Sequence, residues 1–296
     1  MRAVILAIAA VAISAGSATL RAAEPGESLT ITKLAVPFTP DEKPFCVSLT
    51  EDEKLIVFQA DRPGGYGKQD LWFSRFENGR WSAVYNAGPE INTAADDVDG
   101  KLSPDGSSLL FIRVDAARTS SQIYISHLRN GKWSRAELIG PPVTLPGAIH
   151  FGALLSRDGK RLYFATERPG GHGGRDIYYS DKAGDKWSEP VNLGPVINTA
   201  GNDGDQALGR DGNTMVIPGR RENSIGGTDL YITRRVNNAW SPPENLGPRI
   251  NTPGNESCPW LGYNGRTLYF NSDWDGLVGG GKGPRMVWKV EYSKGF

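Results

Sequence analysis

Cysteine and histidine are scarce, with two and three residues among 296. That excludes a disulfide-dense scaffold and leaves no His or Cys pair at metal-ligand spacing. Charge of one sign is not in excess either. The 33 Lys and Arg balance the 33 Asp and Glu, so no global charge draws the chain toward nucleic acid or an anionic membrane. Helical periodicity is missing beyond residue 18, which excludes helical bundles and helical solenoids. There is no GxSxG elbow, no Cys–His nucleophile pair, and no glycine loop that leads into the Lys-Ser/Thr of a phosphate cradle.

The one sustained apolar run lies at the start. Arg2, the stretch Ala3 to Ile13, and the small residues through Ala18 read as a secretory signal peptide cleaved after Ala18. Residues 1–18 are then a leader, and residues 19–296 a chain with no transmembrane segment, placed in the periplasm or secreted. Disulfides are permitted there. No cysteine comes just after the cleavage point, so a lipid anchor is not expected.

What is abundant is glycine, 37 residues, and it is periodic. The turns "PDG", "RDG", "RDG" and "YNG" end at Gly106, Gly159, Gly212 and Gly265, spaced by 53 residues. One further step back reaches Glu53, in the same layout with the glycine lost. Leu49, Leu102, Leu155, Leu208 and Leu261 keep this phase, as do Phe58, Phe111, Phe164, Ile217 and Phe270. A Trp-Ser pair recurs at Trp81, Trp133, Trp187 and Trp240. The chain is five copies of one unit, and such a unit buries its faces only against its neighbours.

Each copy reads as four short antiparallel strands. The expected fold is all-β, a five-bladed β-propeller forming a single domain over 19–296. The chain ends where its last outer strand should begin. "SLTITKLAV" keeps the phase of an outer strand through Leu34 and Phe38, so the N-terminal strand should close the ring inside the fifth blade. Cys46 and Cys258 hold equivalent positions in the first and last blades, which closure makes neighbours. A disulfide across that seam is expected.

The units "LSPDGSSLLF", "LSRDGKRLYFATERPGGHGGRDIYYS" and "NLGPVINTAGND" resemble the TolB-like, WD-repeat-like β-propeller repeats that accompany OmpA-type domains in bacterial envelope proteins. The likeness covers roughly residues 28–296; Kelch repeats are the runner-up. The resemblance implies a binding platform rather than a particular activity.

The glycine loops, such as "RPGGHGG", precede Asp70, Asp176 and Asp229. Each Asp is expected to accept hydrogen bonds from loop N–H groups, which makes the loop architecture. Strand alternation puts these loops and the "INT" crossings between blades on one face, with only tight turns on the other. Long, varied loops are where a propeller usually binds. The candidate ligand-binding residues there are Arg62, Arg168 and Arg221, with Asp97, Asp203 and Glu256 nine residues before the turn. Asp99 and Asp205 lie two further along, and His150 takes the acidic position in the third blade. These carboxylates are expected to converge on the channel mouth, neutralised by the arginines or by a cation. Calcium suits all-oxygen ligands; no other cofactor is expected. Trp260 and Trp274 depart from the repeat, and Trp274 at the rim suits stacking on a sugar or clamping a peptide.

No catalytic residue is assigned. The acids sit at repeat-equivalent positions, whereas a catalytic pair usually breaks a repeat. The leading expectation is a non-catalytic platform for an envelope protein or peptide partner. The alternatives are glycan or peptide capture and, behind these, a glycoside-active enzyme.

Overall fold

The structure is a computed structural model that describes residues 28–34, 44–275 and 281–295. The leader expected at 1–18, and Phe38, lie outside them. The described chain forms five small antiparallel sheets arranged as a five-bladed propeller. In the third blade the order is His150–Leu155, Arg161–Thr166, Asp176–Ala183, then an outer strand in two pieces, Lys186–Trp187 and Val191–Asn192. The first, second and fourth blades repeat that plan.

The fifth blade confirms how the ring closes. Its outermost strand is Leu29–Lys33, paired antiparallel with Lys282–Tyr292 from Leu29↔Tyr292 to Lys33↔Trp288. Five apolar clusters fill the five blade boundaries. Phe58, Phe111, Phe164, Ile217 and Phe270 each enter one of them with no more than 1% exposure. The cluster joining Phe58 and Val47 to Trp260 and Tyr269 belongs to the first and last blades, so the core is continuous around the ring. The seam also carries the disulfide: Cys46 and Cys258 are bonded, with Cα atoms 4.9 Å apart across 212 residues of sequence.

The split outer strand explains the Trp-Ser pair. The serine sits in the gap, where Ser82 Oγ accepts from the Arg75 N–H at 3.1 Å and the Ser82 carbonyl accepts from Ser74 Oγ at 2.8 Å. Ser134, Ser188 and Ser241 repeat the arrangement. The tryptophans pack partly buried against the cores, and Trp133 of the second blade stacks on Phe73 of the first at 5.6 Å.

One inner strand is shorter than the repeat predicts. In the fourth blade pairing begins only at Ala207, so Asp203 and Asp205 precede the strand rather than lie on it. The second strand carries Pro218, which has no N–H to offer the strand inside it.

The glycine loops do join the second and third strands, as their sequence implies, and each Asp holds its loop. Tyr66 and Gly67 donate to Asp70, His172 to Asp176, and Ile225 and Gly226 to Asp229, over 2.6 to 3.1 Å. The loops also press on the next INT crossing. A Cβ on Gly226 would meet the Thr252 carbonyl and stand 2.6 Å from that of Gly254; Gly67 and Gly173 face the equivalent carbonyls. Gly226→Ala is therefore expected to cost about 1–3 kcal/mol, the usual price of overpacking against atoms that cannot yield. A urea melt matching that of the parent protein would refute this.

Candidate functional site

The inner strands meet around a central channel, and its chemistry can be followed level by level through repeat-equivalent residues. The level nearest the long loops holds Pro44, Asp97, His150, Asp203 and Glu256. Three of these are carboxylates turned into the blade crossings. Asp97 accepts from the N–H (2.6 Å) and hydroxyl (2.9 Å) of Thr93, and pairs with Arg113 at 2.7 Å. Asp203 is held by Thr199, and Glu256 by Thr252 and Ser272. Burial pushes all three carboxyls above their usual range, and these hydrogen bonds pull them back. The threonine of "INT" is thus a clamp on the next blade's acid.

His150 fills the same role without charge. It has no exposure; its Nδ1 donates to the Ser121 carbonyl at 2.7 Å and its Nε2 accepts from the Leu145 N–H at 3.3 Å. Burial pushes its pKa down, which keeps it neutral. It is a buried strut and not a rim group, a correction to the sequence expectation.

The arginines follow the expectation in part, with Arg221 paired to Asp203. Arg221 donates to the Ile197 carbonyl at 2.7 Å and stands 3.8 Å from Asp203, while Arg168 donates to the carbonyls of Pro142 and Val143. Arg62 lies over the Trp72 ring at 5.2 Å. They brace crossings and rings. Arg113, which binds Asp97 closely, follows its turn by two residues fewer than these three and so lies off the expected phase.

The next level is Cys46, Asp99, Gly152, Asp205 and Cys258. All five have left-handed backbone, with φ between 47° and 59°. The inner strands bulge here in blades one, two, three and five. Gly152 is needed for space as well, since a Cβ would stand 2.6 Å from the Asp205 nitrogen. Asp99 and Asp205 are the two acids at this level of the channel. Asp99 accepts from the Gly152 N–H at 2.9 Å and pairs with Lys101 at 2.9 Å, both side chains 3% exposed. Burial, together with the charge of Asp99, raises the Asp205 carboxyl to about 6. A carboxyl raised in the folded state costs nothing below the unfolded value near 3.8, where both states hold the proton, and its full cost applies above about pH 6. Asp205→Asn should therefore stabilise the protein at pH 7 by roughly 1–3 kcal/mol and leave it unchanged at pH 4. Chemical melts at the two pH values test this; an equal gain at both would refute it.

Below these lie Ser48, Lys101, Leu154, Ala207 and Trp260, then Glu51, Pro104, Arg157, Arg210 and Tyr263 at the tight-turn end. Arg157 binds both oxygens of Glu51, at 2.8 and 2.6 Å, from the other side of the ring. Sequence reasoning missed Lys101, Glu51 and Arg157. The available signal was the oddity of a lysine where the other copies have Ser, Leu, Ala and Trp.

Trp274 sits half-buried at the end of its strand on the loop-bearing face. Among the described residues no three His, Cys, Asp or Glu side chains are grouped to hold a metal ion. No described helix is long and apolar enough to cross a membrane.

Fold and channel together define a five-bladed β-propeller with a polar central channel. No protein-family model matches the sequence, and no curated protein matches it. Among solved structures the chain is similar to TolB from Acinetobacter baumannii, at 15% identity over 87% of this chain and 56% of that one, with a TM-score of 0.50. It is also similar to the alpha-L-arabinofuranosidase from Lactobacillus brevis, at 13% identity, 86% and 93% coverage and a TM-score of 0.56. The catalytic domain of the Coprinopsis cinerea GH62 alpha-L-arabinofuranosidase gives 10%, 91%, 97% and 0.52 in the same order. At these identities the likeness is one of fold, and the TolB-like resemblance of the repeats holds at that level.

Proposed function

We propose that the chain is an extracytoplasmic binding platform whose loop-bearing face receives a protein or peptide partner. The observation that carries this is the presentation of Tyr66, His172 and Ile225. These repeat-equivalent side chains stand exposed at the tips of glycine loops, Tyr66 at 50% and Ile225 at 42%. The loops beneath them are fixed by Asp70, Asp176 and Asp229 and by contact with the INT crossings. Exposed apolar groups on a rigid base bind with little ordering cost. Beside them is a recess of about 430 Å³, lined in part by Gln59, Ser120, Ile149 and Phe151, where the second blade has a shorter loop. The Cys46–Cys258 bond fits an oxidising compartment, periplasmic or secreted.

The test is capture from solubilised envelope extract, followed by affinity measurement with the purified partner. A Tyr66→Ser, Ile225→Ser variant should bind at least tenfold more weakly, and Val236→Ser on the perimeter should bind normally. A partner held equally by all three forms would refute the loop-face assignment.

A second reading is glycan capture or glycoside hydrolysis, favoured by the likeness to the arabinofuranosidases. Asp205, with its raised pKa, suits the acid role and Asp99 the partner carboxylate. Asp99, however, is 2% exposed and already committed to Lys101 and Gly152. Arabinoside hydrolysis abolished by Asp205→Asn would establish this reading over the first.

A further inference from the structure

We propose that the tight-turn end of the channel is a second site, which binds a small organic carboxylate. A cavity of about 410 Å³ opens there between blades two, three and five, a size suited to a small molecule. Lys101 and Trp260 line it from repeat-equivalent positions, 3% and 6% exposed, with the ammonium 5.9 Å from the ring centroid. Among the described residues the indole N–H of Trp260 has no hydrogen-bond acceptor. The Lys101 ammonium, which carries three hydrogens, has one carboxylate beside it, that of Asp99. The Trp260 N–H and the remaining hydrogens of Lys101 are therefore donors in need of a partner, and buried donors call for acceptors. An anionic, acceptor-only head group satisfies both at once.

The rest of the cavity describes the body of the ligand. Tyr263 meets Trp260 edge to face at 5.8 Å and 81°, giving an apolar corner for a flat group. Leu154 continues that wall. Asp105 and Asp158 stand exposed at the mouth and are engaged within their own turns by Ser103, Ser107 and Ser156. Arg157 also lines the mouth, and Glu51 holds it. An entering carboxylate competes with Glu51 for that guanidinium, which makes Glu51 an internal competitor.

A carboxylate of this kind comes from a sugar acid or from a peptide C terminus. Titration calorimetry on the whole protein with D-glucuronate and with acetyl-Ala-Ala separates the two sources. Glucuronate methyl ester and acetyl-Ala-Ala amide are the neutral controls. At least one acid should bind saturably at millimolar concentration, and its neutral counterpart should not. Trp260→Phe, which keeps the ring and removes the donor, should weaken binding about fivefold to tenfold, as the loss of one hydrogen bond does. Lys101→Gln with Asp99→Asn removes both members of the buried pair and should abolish binding in a protein shown to be folded by its melt. Glu51→Gln should tighten binding several-fold. Absence of binding by both acids, equal binding of acid and neutral control, or a Trp260→Phe affinity equal to that of the parent would overturn the proposal. The site is independent of the loop-face platform, so the Tyr66→Ser, Ile225→Ser variant should bind the same acid unchanged.

Discussion

Reducing the Cys46–Cys258 bond is expected to lower stability by up to roughly 5 kcal/mol, because the bond closes a loop with a sequence separation of 212. For a chain of this length that corresponds to a fall in Tm of about 10 °C. The replacement residue will matter. Both cysteines hold left-handed backbone, with φ of 49° and 47°, which glycine adopts freely and serine does not. A Cys46→Gly, Cys258→Gly variant should therefore melt above the corresponding serine pair, by about 1 kcal/mol per site. Oxidised and reduced protein with coincident melts would show that the bond contributes nothing to the seam.

Removing residues 1–34 should have an effect of similar size but different character. Without Leu29–Lys33, the 11-residue strand Lys282–Tyr292 becomes an open sheet edge. The apolar cluster beneath it loses Leu29 and Ile31. Burial of two such side chains, each half-covered, is worth about 2 kcal/mol, and the lost strand pairing adds to it. The shortened chain should also self-associate, since an open edge pairs with another chain. Light scattering coupled to size exclusion reads both states; a monodisperse monomer as stable as the parent protein would remove the closing strand from the account.

The large features of this molecule were legible because each was written several times. Four turn glycines, five phased leucines and four Trp-Ser pairs gave the blade and its count, and the phase of Leu34 and of the two cysteines located the seam. What appears once has no period to reveal it. Pro218 shortens an inner strand by withholding one N–H, and the Asp99–Lys101 pair depends on a bulge that turns both side chains into the channel. The carboxylates of Asp97, Asp203 and Glu256 were visible as a ring, but their direction was not. That direction is set by Thr93, Thr199 and Thr252, whose position on the crossing follows only from its backbone turn. Glu51 and Arg157 lie 106 residues apart and meet only because the ring brings their blades face to face.

The closing strand also sets a timetable. Leu29 is among the first described residues to be synthesised, yet its partner Tyr292 belongs to the last described strand. Local hairpins within each blade can form as they emerge, because their contacts span few residues and close quickly. The fifth blade cannot be completed until the last strand arrives, and until then the N-terminal segment has no place to go. A ribosome or translocation pore that releases the chain from its N terminus therefore delivers an open, curved array, which becomes a ring only once Lys282–Tyr292 has emerged. Whatever holds the early strand apart from other sheet edges during that interval decides how much of the protein reaches its native form.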